Sequence, residues 1–148
     1  MKKASAQVDF TLQAIKTEQF AIFEEHYAPK KETGLGTELQ FKLDEANKQI
    51  GVFLGFEFIQ SKKVFIKILV SCHFKINETS WNNFVKAKER KIIVPKGFLA
   101  HLAMISTGTS RGILFAKTEG TPFSKFIIPT LNVVEMITAD AEFDAISK

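Results

Sequence analysis

The chain has 148 residues and a mass of 16.7 kDa, enough for one domain and too short for two ordinary ones. With 45% hydrophobic and 24% charged residues it is not a disordered chain, and one cysteine excludes both a disulfide framework and a multi-cysteine zinc site. The net charge of +4 is uneven: residues 60–101 hold nine Lys or Arg against two Glu, a zone an acidic partner could meet, although a charge run is ordinarily a solvated face.

Lys2 and Lys3 are followed by Ala4, Ser5, Ala6, Gln7 and Val8 rather than by an apolar core, so no secretory leader is read there. No apolar stretch approaches the roughly 20 residues that cross a bilayer. The expected location is the cytoplasm.

Val8, Phe10, Leu12 and Ala14 alternate with Asp9, Thr11 and Gln13, the period of a half-buried strand. Phe20–Phe23 extends it or forms a second piece. Residues 28–36, with Pro29, two lysines, Gly34 and Gly36, read as a loop. Leu39, Phe41 and Leu43 alternate with polar neighbours as the next strand, and Ala46–Gln49 reads as a polar turn. Two apolar runs, 52–59 and 64–76, flank the polar tip Gln60–Lys63 and predict an antiparallel hairpin. In the second run Val64, Ile66, Ile68, Val70, Cys72, Phe74 and Ile76 share one face. Phe65, Lys67, Leu69, Ser71, His73 and Lys75 share the other. The unbroken apolar face needs a cover, for which helices are the natural candidates.

Residues 77–94 form a long connection with a short helix expected near 80–90. Pro95 suits a helix start and Gly120-Thr121-Pro122 a stop. Between them Phe98, Leu102, Ile105, Thr109 and Ile113 keep helical spacing. So does a row of small residues, Ala100, Gly108, Gly112 and Ala116, with Met104 in register. A helix apolar on several sides is buried on several sides. That predicts self-association through the small ridge, against a monomer that covers the helix with its own last helix. Phe126-Ile127-Ile128-Pro129 reads as an extended crossing. Asn132 and Glu135 resemble a capping box opening a last helix at Val133. The expected fold is α+β: one domain over 1–148, a four-stranded antiparallel sheet with one long and one shorter helix on one face.

Chemistry-bearing patterns are weak. Gly108-Thr109-Ser110-Arg111-Gly112 matches the nucleophile elbow in letters, but no histidine follows Ser110 and the flanks read as helix. Gly34-Leu35-Gly36 lacks the third glycine and the strand–helix context of a dinucleotide site. His26, His73 and His101 have no metal-ligand spacing, and Cys72 falls on the apolar strand face as a buried thiol. No enzyme activity, cofactor or metal is expected. What stands out is apolar chemistry in the connection: Trp81, Phe84, Ile92, Ile93, Val94 and Phe98 lie in or beside it, where a groove for flexible apolar peptides can form.

The order of these elements resembles that of the bacterial export chaperone family SecB. The resemblance spans about residues 8–146. It is carried by Val64–Ile76, Pro95 before the long helix, Ser110-Arg111-Gly112, and Pro129-Thr130-Leu131-Asn132-Val133. It implies an ATP-independent holdase for unfolded or precursor polypeptides, assembled as a homotetramer, a dimer of dimers packed through the long helices; for this chain a homo-oligomer, dimer or tetramer, is expected. On that resemblance the peptide groove draws on Trp81, Phe84, Val94, Phe98 and Leu102. The oligomer interface draws on Ala100, Met104, Gly108, Arg111 and Gly112, with Arg111 making ion pairs or backbone contacts in the helix layer. The family meets the export motor SecA through an acidic sheet surface. Here Lys67 and Lys75 flank His73 on the outer face, so SecA is a doubtful partner. The alternative is a fold relative that binds one dedicated protein, of antitoxin or phage type. Residues 86–96 lack the spaced aromatic residues that nucleic-acid stacking uses, so neither nucleic acid nor a membrane is expected as a partner.

Overall fold

Four long strands form one antiparallel sheet in the computed structural model, which describes residues 7–146. They are β1 (Phe10–Ile22), β2 (Gly34–Asp44), β3 (Gln49–Gln60) and β4 (Lys63–Ile76), in the order β1-β4-β3-β2. The segment read for a leader, residues 1–6, lies outside the described residues. The β3–β4 tip is tighter than the four-residue one expected. Ser61 and Lys62, with φ of 50° and 66°, make a two-residue left-handed turn that suits strand twist.

The sequence period holds along most of the sheet and fails where the ladder slips. On β4, Ile66 to Ile76 alternate inward as expected. The register jumps between Phe58 and Ile59, however, and Phe65 falls in the gap, opposite no residue of β3. The extra residue turns Phe65 inward with Ile66. Phe65 is fully buried among Tyr27, Phe58, Phe123 and Phe126, with the Phe126 ring centroid at 4.9 Å. β1 is one strand with two slips, at Gln13 and Glu18, rather than two pieces. β2 starts at Gly34, inside the stretch read as a loop, because Gly34 to Gly36 pair with Ile59 to Glu57.

The long helix α2 (Lys96–Thr118) covers β3 and β4. Its buried side mixes Leu99, Leu102, Ala103 and Leu114 with Ser106, Thr107, Ser110 and Thr118. Those hydroxyls donate to carbonyls four residues back at 2.7–2.9 Å, so polar side chains enter the core with their hydrogen bonds made. Gly120, at φ 82°, ends the helix. Most of the fifteen Phe gather at the two ends of this layer. One group is the cluster around Phe65. The other joins Phe10, Phe74, Phe84 and Phe98, with ring centroids 5.4–5.8 Å apart.

The connection after β4 is more structured than expected. Helix α1 (Glu78–Phe84) is capped by Asn77, whose Oδ1 accepts from the Thr79 N–H at 2.9 Å. Next come β5 (Val85–Lys86), a 3-10 turn and β6 (Lys91–Val94). The last helix, α3 (Val133–Met136), is a single turn. The chain then enters β7 (Ala141–Asp144), because Ala141, Phe143 and Ala145 alternate with Glu142 and Asp144 at the strand period. β5, β6 and β7 form a second sheet in the order β5-β6-β7. The class is α+β as expected. Among the described residues no helix is long and apolar enough to cross a membrane.

Candidate polypeptide-binding surface

The residues expected to line a peptide groove are mostly core. Trp81, Phe84, Val94 and Leu102 are buried and Phe98 is half-buried. The reason is the three-residue spacing of Trp81 and Phe84 on α1, which places both on one helix face. Phe84 meets Phe98 at 5.8 Å, and Phe98 meets Phe10 at 5.4 Å. The open groove lies on the far side of Trp81. It has a volume of about 720 Å³ between the β2–β3 turn and the crossover; Leu43, Ala46, Trp81, Val85, Ile92, Ala145 and Ile146 are its apolar lining, beside Asp44, Glu45, Lys48 and Asn82. Of these, Trp81 and Ile92 are among the apolar residues of the connection singled out in the sequence, and only Trp81 is among the groove residues the resemblance implies. The alternation of 141–145 is the signal that brings the last strand to this wall.

The residues expected at an interface divide three ways. Met104 is 57% exposed, and Gly108 and Gly112 continue its stripe: a Cβ added at either glycine would meet nothing within 4 Å. Phe115 ends the stripe at 46% exposure. Ala100 instead is buried. Arg111 is engaged within the chain, where Nε donates to the Ile128 carbonyl at 2.6 Å and Nη2 to the Pro129 carbonyl at 2.9 Å. These contacts lie within the chain, whereas the resemblance places Arg111 at an interface with ion pairs or backbone contacts, and they hold the extended crossing against α2. Because α2 sits over β3 and β4, the inner side of β1 is left partly bare, with Ile15 48% exposed and Leu12 beside it.

The outer sheet face is not the basic surface expected. By register, Lys16, Lys42, Lys67 and Lys75 share it with Glu38, Asp44 and Glu57, and the hydrogen bond from Ser71 puts Glu18 there too. Lys67 lies 3.9 Å from Glu57, and Lys42 sits over the Phe53 ring at 4.3 Å. The positive charge collects at the crossover instead, in Lys86, Lys88, Arg90, Lys91 and Lys96.

The candidate reactive groups are committed to structure. Ser110 is buried and donates to the Ser106 carbonyl at 2.8 Å, in mid-helix rather than on an elbow. Cys72 is buried, and burial pushes its thiol pKa up, away from reactivity. Ser71 is buried too; its hydroxyl donates to Glu18 Oε1 at 2.7 Å and sits 2.9 Å from His73 Nε2. Since the Ser71 proton goes to Glu18, the His73 ring supplies the N–H of that second contact. Burial lowers the His73 pKa, Lys16 adds to the effect and Glu18 opposes it. Among the described residues no group of three His, Cys, Asp or Glu side chains could hold a metal ion.

No protein-family model matches the chain, and no curated protein matches it. Among solved structures, it is similar to the crystal structure of a protein of unknown function from Streptococcus agalactiae. The two are 18% identical over 86% of this chain and 99% of the other, with a TM-score of 0.42. That likeness assigns neither a family nor an activity.

Proposed function

We propose that this chain is a SecB-like holdase: an ATP-independent chaperone that binds unfolded or precursor polypeptides in the cytoplasm and works as a homo-oligomer. The observation that carries the reading is the groove at the crossover, which lies over the buried Trp81 and Ile92, offers Leu43, Val85, Ala145 and Ile146 as accessible apolar lining and is open to an extended chain. Binding there is driven mainly by apolar burial, at about 25 cal/mol per Å² before the cost of ordering the guest. The basic crossover shifts the preferred guests toward neutral or acidic segments. Self-association has its own support. The open stripe Met104–Gly108–Gly112–Phe115 and the half-bare inner side of β1 are apolar surface that the single chain does not cover. The charge-balanced outer face differs from the acidic surface that meets SecA, so SecA is not included among the partners.

The test is aggregation of a reduced, unfolded protein, monitored by light scattering without nucleotide. Suppression at near-stoichiometric chaperone is expected. Unchanged aggregation at severalfold excess contradicts the holdase reading. One tight complex with a single cellular protein, and no suppression, favours a dedicated partner instead.

A further inference from the structure

The second sheet contains a strand that the core barely anchors. Ile92 and Val94 of β6 are fully buried, but among the described residues after Ile137 no side chain is. Ala141, Phe143 and Ala145 face inward and are half-buried, while Glu142, Asp144 and Ile146 are exposed. The β6–β7 ladder runs four residue pairs, from Lys91↔Asp144 to Val94↔Ala141. It is extended by the Ala145 N–H to the Arg90 carbonyl at 2.9 Å. A short edge strand, paired on one side only and with no buried side chain, opens at small cost while the sheet beneath it stays folded.

The chemistry of this strand matches its seat. Asp140 Oδ1 accepts from the Lys96 N–H at 2.9 Å, and Glu142 lies 3.4 Å from Lys91 Nζ. Asp144 is the register partner of Lys91. Thus three carboxylates cover the basic crossover. Ala145 and Ile146 complete one wall of the groove floored by Trp81, so strand seat and groove are continuous.

We propose that β7 is a strap on a client site: the edge of β6 accepts an extended polypeptide as an added antiparallel strand, and β7 is what that guest displaces. The guest alternates small or aromatic apolar residues with Asp or Glu, as Ala141-Glu142-Phe143-Asp144-Ala145 does. The backbone ladder supplies affinity, and the inward apolar positions and the crossover charges supply selectivity. This rests on the holdase reading and names the segments it favours. Apparent affinity then scales with the fraction of molecules whose strap is open.

The hydrogen-bonded pair Arg90–Ala145 fixes the alternation of the ladder, so Ile93 and Glu142 face each other as a non-hydrogen-bonded pair, close enough to staple. The full chain carrying Ile93→Cys and Glu142→Cys is compared oxidised and reduced, with the native Cys72 buried out of reach. The probe is a fluorescent peptide with the sequence of residues 137–146. Oxidation is expected to weaken its binding about tenfold or more, and Phe143→Ser, which loosens the strap, to tighten it about tenfold. Equal binding by the oxidised and reduced forms overturns the proposal, as does failure of Phe143→Ser to bind the peptide. Oxidation to a cross-linked dimer overturns it in another way, by giving the β6 edge to a second copy. An unfolded protein client run in parallel separates the two levels. If the client is held but the peptide ignores the staple, the strap alone fails; if no form holds the client, the holdase reading fails with it.

Discussion

Arg111 shows how one side chain couples two distant parts of the chain. Its guanidinium reaches the carbonyls of Ile128 and Pro129, seventeen and eighteen residues on, and among the described residues no other α2 side chain is hydrogen-bonded to that crossing. Hydrogen bonds from a charged donor contribute about 1.5–3 kcal/mol each when lost from a protected site. Arg111 is half-exposed, so Arg111→Ala is expected to lower stability by about 2 kcal/mol in denaturant unfolding. Arg111→Lys should restore little, because an ammonium cannot span both carbonyls with a planar fork. His73 adds a pH dependence of known sign. Its pKa is lowered in the fold from an ordinary value of 6.5, so its contribution is complete above that value. It is lost as pH falls below it, because the unfolded chain takes up a proton that the folded chain resists. The urea midpoint should therefore fall between about pH 7.5 and about pH 5.5, and by less in His73→Gln. Sequence reasoning succeeds at this level for Cys72, which is buried on the apolar strand face as its position in β4 indicates. It fails for Phe65, whose inward turn comes from a register slip between two strands, which one strand's alternation cannot reveal.

Among the elements, period and punctuation locate the sheet and α2, since Pro95 and Gly120 bracket the helix and β3 and β4 alternate over most of their length. Two elements are not legible. The glycines of 34–36 signal a loop, yet pairing with β3 holds them in a strand. The capping box at Asn132 points to a longer helix, but it opens only one turn, and the alternation of 141–145 then joins β6. Tertiary pairing decides both. The open stripe of α2 yields a prediction of its own. Gly in a helix interior costs about 1 kcal/mol relative to Ala, and no contact within the described chain requires Gly108 or Gly112. Gly108→Ala should stabilise an isolated chain by about that amount. Gly108→Leu should keep the fold, by circular dichroism, while lowering the native mass in light scattering, because the added side chain stands where a second helix would pack. An unchanged mass removes α2 from the interface.

Across the molecule, the groove residues expected from sequence are mostly core, and the open groove lies beside them. Trp81 and Phe84 lie on α1, at the start of the crossover. Trp81 packs on Phe84, and Phe84 on Phe98, in a way that depends on how α1 docks, which no local pattern specifies. The charge is likewise placed by the fold: lysines that fall close together in the sequence are divided between a balanced outer sheet face and a basic crossover. The groove, a cluster of cations and the acidic edge strand β7 thus lie side by side.

Hydrogen exchange of the full chain, with and without an unfolded protein client, is the sharpest test of this arrangement. Protection is expected in residues 43–46 and 81–94, with faster exchange across 141–145 as the strap leaves. Protection confined to the outer faces of β2 and β3, or none anywhere, contradicts the arrangement.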